Sequence, residues 1–442
     1  MNPRALGMRM LIEKPKCLIV WLLRLLRLKP PAPFEEVEAR ALEKRQKREA
    51  SHLSRQFIKQ RRERASKKKR KVESLLWVVS VIGVRKALAQ THYSAAWLAV
   101  LEKAGFNAEV IAYRLREKPS KFIPDCLSET VLWNPIDTGL SDMALIEAAL
   151  KEVRPTVVVC YWWSAGLLPE IRRLTKRYNS KLILNSGELP RESQIKVLEN
   201  GTYRMIGLSE IGRICDGILV VSSALEEFWL QNGFDEQSIL VSHTPVLPND
   251  FAHQVPVDYT SAVYTGNLSR IEIDNLIEIV VIVRESNPDF HLTVFAEDSS
   301  DTIAHYVKKS EKMGAQNAIE WHSPVEGRAL ARALAGAGML LLPRFADEQT
   351  NAGFPNKLGE YLMSGRPVVC TNISDISKRF INKRDLTIVP SGDNELFAQV
   401  VAYYLDNPDE ADIIGAQGRK AILEQSDPVR LGTAFMQWAQ KI

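Results

Sequence analysis

The segment from Leu340 to Thr371 (LLLPRFADEQTNAGFPNKLGEYLMSGRPVVCT) gathers the residues of this 442-residue chain whose types and spacing point most clearly to chemistry. Its apolar start reads as a strand that ends at Pro343-Arg344. A polar loop follows, and Gly353-Phe354-Pro355-Asn356 opens a helix. Backbone amides at a helix start can cradle a diphosphate, and the helix dipole favours the negative charge. Glu360 falls one turn into that helix. A carboxylate there can accept hydrogen bonds from both vicinal hydroxyls of a ribose. Gly365-Arg366-Pro367 then returns the chain to a buried strand.

Such a loop needs a scaffold that delivers strand ends and helix starts to one edge. The chain supplies one repeatedly. Leu75 to Ile82 (LLWVVSVI) is a continuous apolar run of strand length, the pattern of a strand covered on both faces. A helical stretch from His92 to Ala104, closed by Gly105, and a second strand at Ala108 to Ala112 complete a βαβ unit. Further alternation follows. Helices are expected at Ala144–Glu152, Leu168–Tyr178, Ser209–Cys215 and Ser223–Asn232. Strands are expected at Thr156–Tyr161, Lys181–Asn185 and Gly217–Val221. A second series begins near Ser261. It has strands at Val263–Thr265, His291–Phe295, Met339–Leu342 and Pro367–Thr371. Its helices are Asn275–Glu285, Arg328–Ala335, Asn356–Met363, Glu395–Leu405 and Glu410–Gln425. Two doubly wound α/β halves joined near 249–261 put a ligand in the cleft between them, at the carboxyl ends of the strands.

Composition bounds the class. The chain has 58 Lys/Arg and 53 Asp/Glu, a net of +5. Residues 1–74 hold 22 of the basic and 8 of the acidic residues, so a +14 arm precedes a body with 36 basic and 45 acidic residues, net −9. Five cysteines without a CxxC pair argue against a disulfide scaffold or a zinc module and suit a reducing compartment. No apolar run reaches the ~18 residues of a spanning helix. Cys17–Leu28 comes nearest and is interrupted by Arg24 and Arg27. No small-x-small site follows it, so it does not read as a cleaved signal.

The motifs Gly353-Phe354-Pro355-Asn356, Glu360 and Ser364-Gly365-Arg366-Pro367-Val368-Val369 resemble the C-terminal signature of the retaining glycosyltransferases of family 4. Val263-Tyr264-Thr265-Gly266-Asn267-Leu268 and Cys215-Asp216-Gly217-Ile218-Leu219-Val220-Val221-Ser222 extend the likeness, which spans about residues 76–425. Pro355-x-Lys357-x-x-Glu360-Tyr361 resembles a subgroup common in bacterial surface-polysaccharide synthesis. The resemblance implies the α/β GT-B architecture, two Rossmann-like domains across a cleft, preceded by a helical basic extension. It divides the chain into an extension (1–74), an acceptor domain (75–250), a donor domain (261–425) and a final helix (426–442) that crosses back to the first domain.

The resemblance also implies roles. Glu360 would bind ribose, and Gly266, Asn267 and Gly353, Phe354, Pro355, Asn356 and Lys357 would lie beside the diphosphate and donor sugar. The family sets two cations on the leaving diphosphate. Arg270 best matches the first. Glu272 and Asp274 occupy the stretch where the second, a Lys, usually stands, so Arg344 or Lys357 is expected to replace it. Fixed cations stabilise the charge that builds on a leaving phosphate. No DxD motif is present, so neither a metal nor a further cofactor is expected. One departure stands out: the family's first Glu, which touches the donor sugar, is Ala352 here, which leaves donor identity open. His92 and Glu188 are candidates to face the sugar or acceptor from the first half. Tyr161-Trp162-Trp163 could stack on a sugar or simply pack.

The implied activity is transfer of a sugar from a nucleotide-sugar donor to a glycan or lipid-linked acceptor, in a cytoplasmic protein peripheral at the inner membrane face. A catalytically silent GT-B-like binding or scaffold protein is the alternative from another class. A sugar-nucleotide epimerase is a weaker one. The arm has 15 Lys/Arg between Arg40 and Lys71. With Trp21 and the leucines of Cys17–Leu28 it suits an anionic membrane surface. A basic arm also attracts nucleic acid, but this run has one aromatic, Phe57, and no readout motif. Membrane contact is the expectation, with protein-partner binding or simple solvation as the other readings.

Overall fold

The computed structural model describes residues 74–80, 96–113, 131–132, 139–242, 244–246, 255–266, 272–296, 300–315, 317–325 and 327–442. His92, Asn267, Arg270 and nearly all of the basic arm lie outside the described residues.

Two parallel sheets carry the molecule. The first runs β3-β2-β1-β4-β5-β8-β9, with β1 Ser74–Ser80, β2 Asn107–Tyr113, β3 Val131–Leu132, β4 Val157–Tyr161, β5 Lys181–Ser186, β8 Gly217–Val220 and β9 Ile239–Val241. The second runs β12-β11-β10-β13-β14-β15, with β10 Asp258–Gly266, β11 His291–Ala296, β12 Ile319–His322, β13 Ala337–Leu342, β14 Val368–Thr371 and β15 Thr387–Val389. Every pair within both sheets is parallel. In each sheet the first strand lies between the second and the fourth, which is the doubly wound order. The order reverses at β1/β4 and at β10/β13, and crevices for ligands open there.

The strand sequences explain the layering. Side chains alternate across a strand, so a sheet covered by helices on both faces needs apolar residues at every position. In β13, Met339 and Leu341 pack into one core and Leu340 and Leu342 into the other. In β14, Val369 joins the first of these and Val368 and Cys370 the second. Each such aliphatic contributes about 1.5–3 kcal/mol when fully buried. The first half has a single core, and the last helix, Pro428–Lys441, belongs to it. Phe435 packs on Trp97 at 5.4 Å between ring centroids, and the Trp438 indole donates to the Gln237 carbonyl at 3.0 Å. A Cβ at Gly432 would meet Ala104 at 2.6 Å, so only glycine permits this crossing.

Several elements were not anticipated from the sequence. β6 (Gln194–Glu199) and β7 (Thr202–Gly207) form an antiparallel hairpin. Its Asn200-Gly201 turn has both φ angles positive, as the tight hairpin turn requires. β3, β9, β12, β15, the helix Ser300–Lys312 and the short helices Glu348–Ala352 and Ile376–Arg379 are others. No described helix is long and apolar enough to cross a membrane.

Candidate active site at the switch point of the second sheet

β10 ends at Gly266 and β13 runs into Pro343-Arg344, so the two strands flanking the reversal deliver their last residues to one place. The helix Asn356–Met363 adds Lys357 and Glu360 from across the crevice. The helix Glu272–Ser286 adds its first residue, Glu272. Chain segments 90 residues apart thus meet because a parallel sheet sends every strand end to the same edge.

Glu272 is the centre of the cluster, only 3% exposed. Arg344 Nε donates to its Oε1 at 2.9 Å, and the Tyr264 hydroxyl donates to its Oε2 at 2.6 Å. Lys357 Nζ donates to the Tyr264 hydroxyl at 3.2 Å, sits 4.3 Å from the Tyr264 ring centroid, and lies 3.8 Å from Glu272 Oε2. Burial first, and then Glu272, push the Tyr264 phenol well above its ordinary pKa, so it stays a donor. Gly266 lies against this group. A Cβ there would collide with Lys357 Nζ and the Tyr264 hydroxyl.

The neighbouring Tyr361 fixes the strand end. Its hydroxyl accepts the Thr265 amide at 2.7 Å. Glu360, one residue before, is half-buried, and among the described residues its carboxylate has no hydrogen-bond partner. Burial raises its pKa to about 7, with Lys357 pulling the other way. A carboxylate whose charge burial disfavours, at the strand ends of such a sheet, marks a candidate binding group. Pro355 precedes the helix and no side chain caps its first turn. Asn356 Oδ1 accepts from the Thr244 hydroxyl at 2.6 Å.

The Gly353–Asn356 loop is pinned from both halves. Asp347 caps the helix Glu348–Ala352 through a reciprocal bond with Thr350. Phe354 lies under Arg379, 4.5 Å from guanidinium to ring centroid. Burial lowers the Arg379 pKa to about 10, against the pull of Asp375. The Ala352 carbonyl accepts from Ser222, the N-cap of the helix Ser223–Gln231 in the first half. Asp375 completes this junction. Its two oxygens accept the Ser223 amide at 2.6 Å and hydroxyl at 2.7 Å, and Lys378 lies 3.0 Å away. Burial works against the ionised Asp375, but the bonds from Ser223 and Lys378 outweigh it and its pKa is lowered.

The structure therefore gathers Gly266, Arg344 and Lys357 around Glu272 and Tyr264, with Glu360 three residues beyond Lys357 on the same helix and Gly353 to Pro355 leading into it. Ala352 is 2% exposed and packs with the first-half core. Glu188 lies just past β5, next to Gly187, whose carbonyl is 3.6 Å from where a Gly353 Cβ would stand. Trp162 packs on Trp229 at 5.7 Å, a packing role. Sequence reasoning passed over Glu272, Tyr264, Tyr361 and Asp375 as parts of the site. Glu272 left a trace, as an acid where the resembled family places a lysine. Asp274 points elsewhere, to Lys309 at 2.7 Å.

Comparison with known proteins agrees with this fold. Residues 260–407 match the family model described as glycosyl transferases group 1. Among solved structures, a glycosyltransferase from Rickettsia africae is 15% identical with a TM-score of 0.60, covering 84% of this chain and 99% of its own. Anabaena Alr3699/HepE in complex with UDP and glucose is 12% identical with a TM-score of 0.62, covering 84% and 100%. A variant of S. aureus TarM in complex with fondaparinux, alpha-GlcNAc-glycerol and UDP is 11% identical with a TM-score of 0.60, covering 83% and 99%. No curated protein is matched. The fold is that of the GT-B glycosyltransferases, and within the second half the match to the glycosyl transferases group 1 model covers residues 260–407.

Proposed function

We propose that this protein is a glycosyltransferase that moves a sugar from a nucleoside-diphosphate donor to a glycan or lipid-linked acceptor, with retention of anomeric configuration, in the synthesis of a surface polysaccharide or glycoconjugate. The observation that carries the reading is the cluster of Arg344 and Lys357 about Glu272 beside Gly266, with the half-buried Glu360 on the Lys357 helix, at the switch point of a doubly wound sheet. Glu360 would accept both ribose hydroxyls. The amides from Gly353 onward, with Arg344 and Lys357, would face the diphosphate. Arg270 and Asn267, which follow Gly266 in the sequence, are assigned by the resemblance to the same wall.

In the reaction, the bond from the anomeric carbon to the donor phosphate oxygen breaks, and its electron pair leaves on the phosphate. An acceptor hydroxyl oxygen bonds the same carbon, and its proton passes to the leaving phosphate or to solvent. Charge grows on the leaving oxygen, and cations already in place stabilise it without reorganising. The reading requires no metal. Glu188 and His92 are assigned to the acceptor side. The arm of residues 1–74 would hold the protein at an anionic inner membrane face, each Lys/Arg near the surface adding about 1 kcal/mol.

The supporting comparisons are the domain match over 260–407 and the UDP and sugar complexes of proteins with this fold. The test is a panel of nucleoside-diphosphate sugars offered with membrane glycolipid extract, scored by mass spectrometry for a donor-dependent added sugar. Binding of a nucleotide sugar with no transfer to any acceptor would favour a silent GT-B binding protein, the reading that Ala352 suggests. Absence of both binding and transfer would refute the proposal. Removing residues 1–73 is expected to release the chain from anionic vesicles and leave donor binding intact.

A further inference from the structure

A buried carboxylate at the heart of an anion site is at first sight out of place. Glu272 lies where incoming phosphate would be repelled, yet its two oxygens are taken by Arg344 and Tyr264, and Tyr264 in turn holds Lys357. Its helix begins at this residue, so the carboxylate also sits at the positive end of the dipole. The two cations therefore share one counter-charge, and the frame behind them is rigid and nearly closed to solvent.

We propose that Glu272 is a positioning residue that balances the charge of the donor pocket, aiming Arg344 and Lys357 while keeping the pocket from holding the nucleoside-diphosphate product too tightly. This rests on the reading of the site as a nucleotide-sugar pocket. The nucleoside diphosphate released by transfer carries more negative charge than the donor. A pocket with surplus positive charge binds that product better than the donor, and turnover then stalls on release. One carboxylate behind two cations trims the surplus. Because the bonds run through Arg344 Nε and the Tyr264 hydroxyl, the same group fixes where the remaining charge points. Interactions worth most in the transition state, not in the product complex, raise turnover. The difference between Arg344 and Lys357 fits this. Arg344 is bonded to the carboxylate directly. Lys357 reaches it through Tyr264, with its ammonium 3.8 Å from Glu272 Oε2.

The test titrates the full-length chain and its Glu272→Gln and Glu272→Asp variants with UDP, GDP, ADP and dTDP by calorimetry, then measures transfer. Glutamine keeps the shape and a carbonyl acceptor but removes the charge. The nucleotide that binds wild type is expected to bind Glu272→Gln about three- to tenfold tighter, with a steeper loss of affinity in salt. Turnover is expected to fall about tenfold or more as release slows and the cations lose their aim. Glu272→Asp keeps the charge and is expected to bind the nucleotide as wild type does. A purely structural residue could not tighten a ligand when removed. Equal or weaker nucleotide binding by a folded Glu272→Gln overturns the inference alone. No nucleotide binding by wild type overturns the donor-site reading and this inference with it. Should Glu272→Gln fail to fold, Tyr264→Phe decides. It cuts Lys357 from the carboxylate, so turnover is expected to fall about tenfold with nucleotide affinity within about twofold of wild type. Unchanged turnover in Tyr264→Phe overturns the inference.

Discussion

The two walls of the cleft are built from different materials. On the wall of the second sheet, Arg344 and Lys357 cluster about Glu272, Glu360 lies on the Lys357 helix, and two buried tyrosines, Tyr264 and Tyr361, back them. On the wall of the first sheet, the described residues that meet it are mostly neutral. Among them Ser222, Ser223, Thr244 and Gly187 meet the second half through hydroxyls and backbone. Both sheets have the same strand order, so topology alone does not explain the contrast. The difference lies in what each edge is asked to hold. A pocket that handles a phosphate needs charges whose positions are set before the ligand arrives, and burial among tyrosines sets them. A wall that must meet the other half needs contacts that can be made and released at modest cost, and serine hydroxyls at a helix start provide them.

The contrast is best attacked at its strongest point. Replacing Glu360 with alanine is expected to weaken nucleotide binding about 100-fold, the loss of two bonds to a charged acceptor at about 1.5 kcal/mol each, as measured by calorimetry. Glu360→Gln separates binding from stability. The carboxyl has a folded pKa near 7, above its unfolded value, so the folded state holds the extra proton between the two. Stability of the empty protein therefore falls as pH rises through about 5 to 7, and the neutral glutamine is free of that cost. Glu360→Gln is expected to melt higher than wild type at pH 7.5 without ligand, and the gain should vanish near pH 5. Equal melting at both pH values would show that Glu360 is better solvated than its surroundings imply.

Next in size is Arg344→Lys, which keeps the charge but loses the guanidinium bond to Glu272. Turnover is expected to drop about 10- to 100-fold with a small change in donor KM. A change confined to KM would assign Arg344 to ground-state binding instead. A smaller effect is expected at the junction. Asp375→Asn removes a charge that accepts from Ser223 and should loosen the two halves by about 1–2 kcal/mol, seen as a larger radius of gyration in X-ray scattering. Asp375 has a depressed pKa, so its contribution is present above its unfolded value and lost as pH falls below about 4. Wild type should then approach the variant. The smallest effect belongs to the neutral wall: Glu188→Gln should change nucleotide affinity by less than about twofold while altering acceptor KM. An equal effect on both would erase the distinction between the walls.

Much of this was legible in the residues. Continuous apolar runs such as Val157–Cys160 and Leu340–Leu342 announce strands covered on both faces. The helix Leu168–Tyr178 was bounded correctly, because Asn179 takes the left-handed conformation that ends it. The Gly353–Glu360 segment stands out in the sequence because its local order of turn, helix start and carboxylate is contiguous. What remained hidden depends on contacts between distant residues. Asp375 precedes a four-residue helix with no local signal, and its meaning appears only when it reaches Ser223, 152 residues away. Glu272 looked like the loss of a cation. Folding shows it to be the partner of two cations that the chain places elsewhere. The hairpin Gln194–Gly207 was missed although its Asn200-Gly201 turn was in plain view, because an edge ribbon lacks the apolar run of a buried strand.

The account stands on the donor pocket, and thermal denaturation over a panel of nucleoside-diphosphate sugars tests it most directly. A ligand that binds only the folded chain must raise its stability, by about 2.7 kcal/mol at one hundred times its dissociation constant. At least one member of the panel is expected to raise the melting temperature of wild type and to move Glu360→Ala far less. A panel that shifts neither, or one that shifts both equally, would contradict the account.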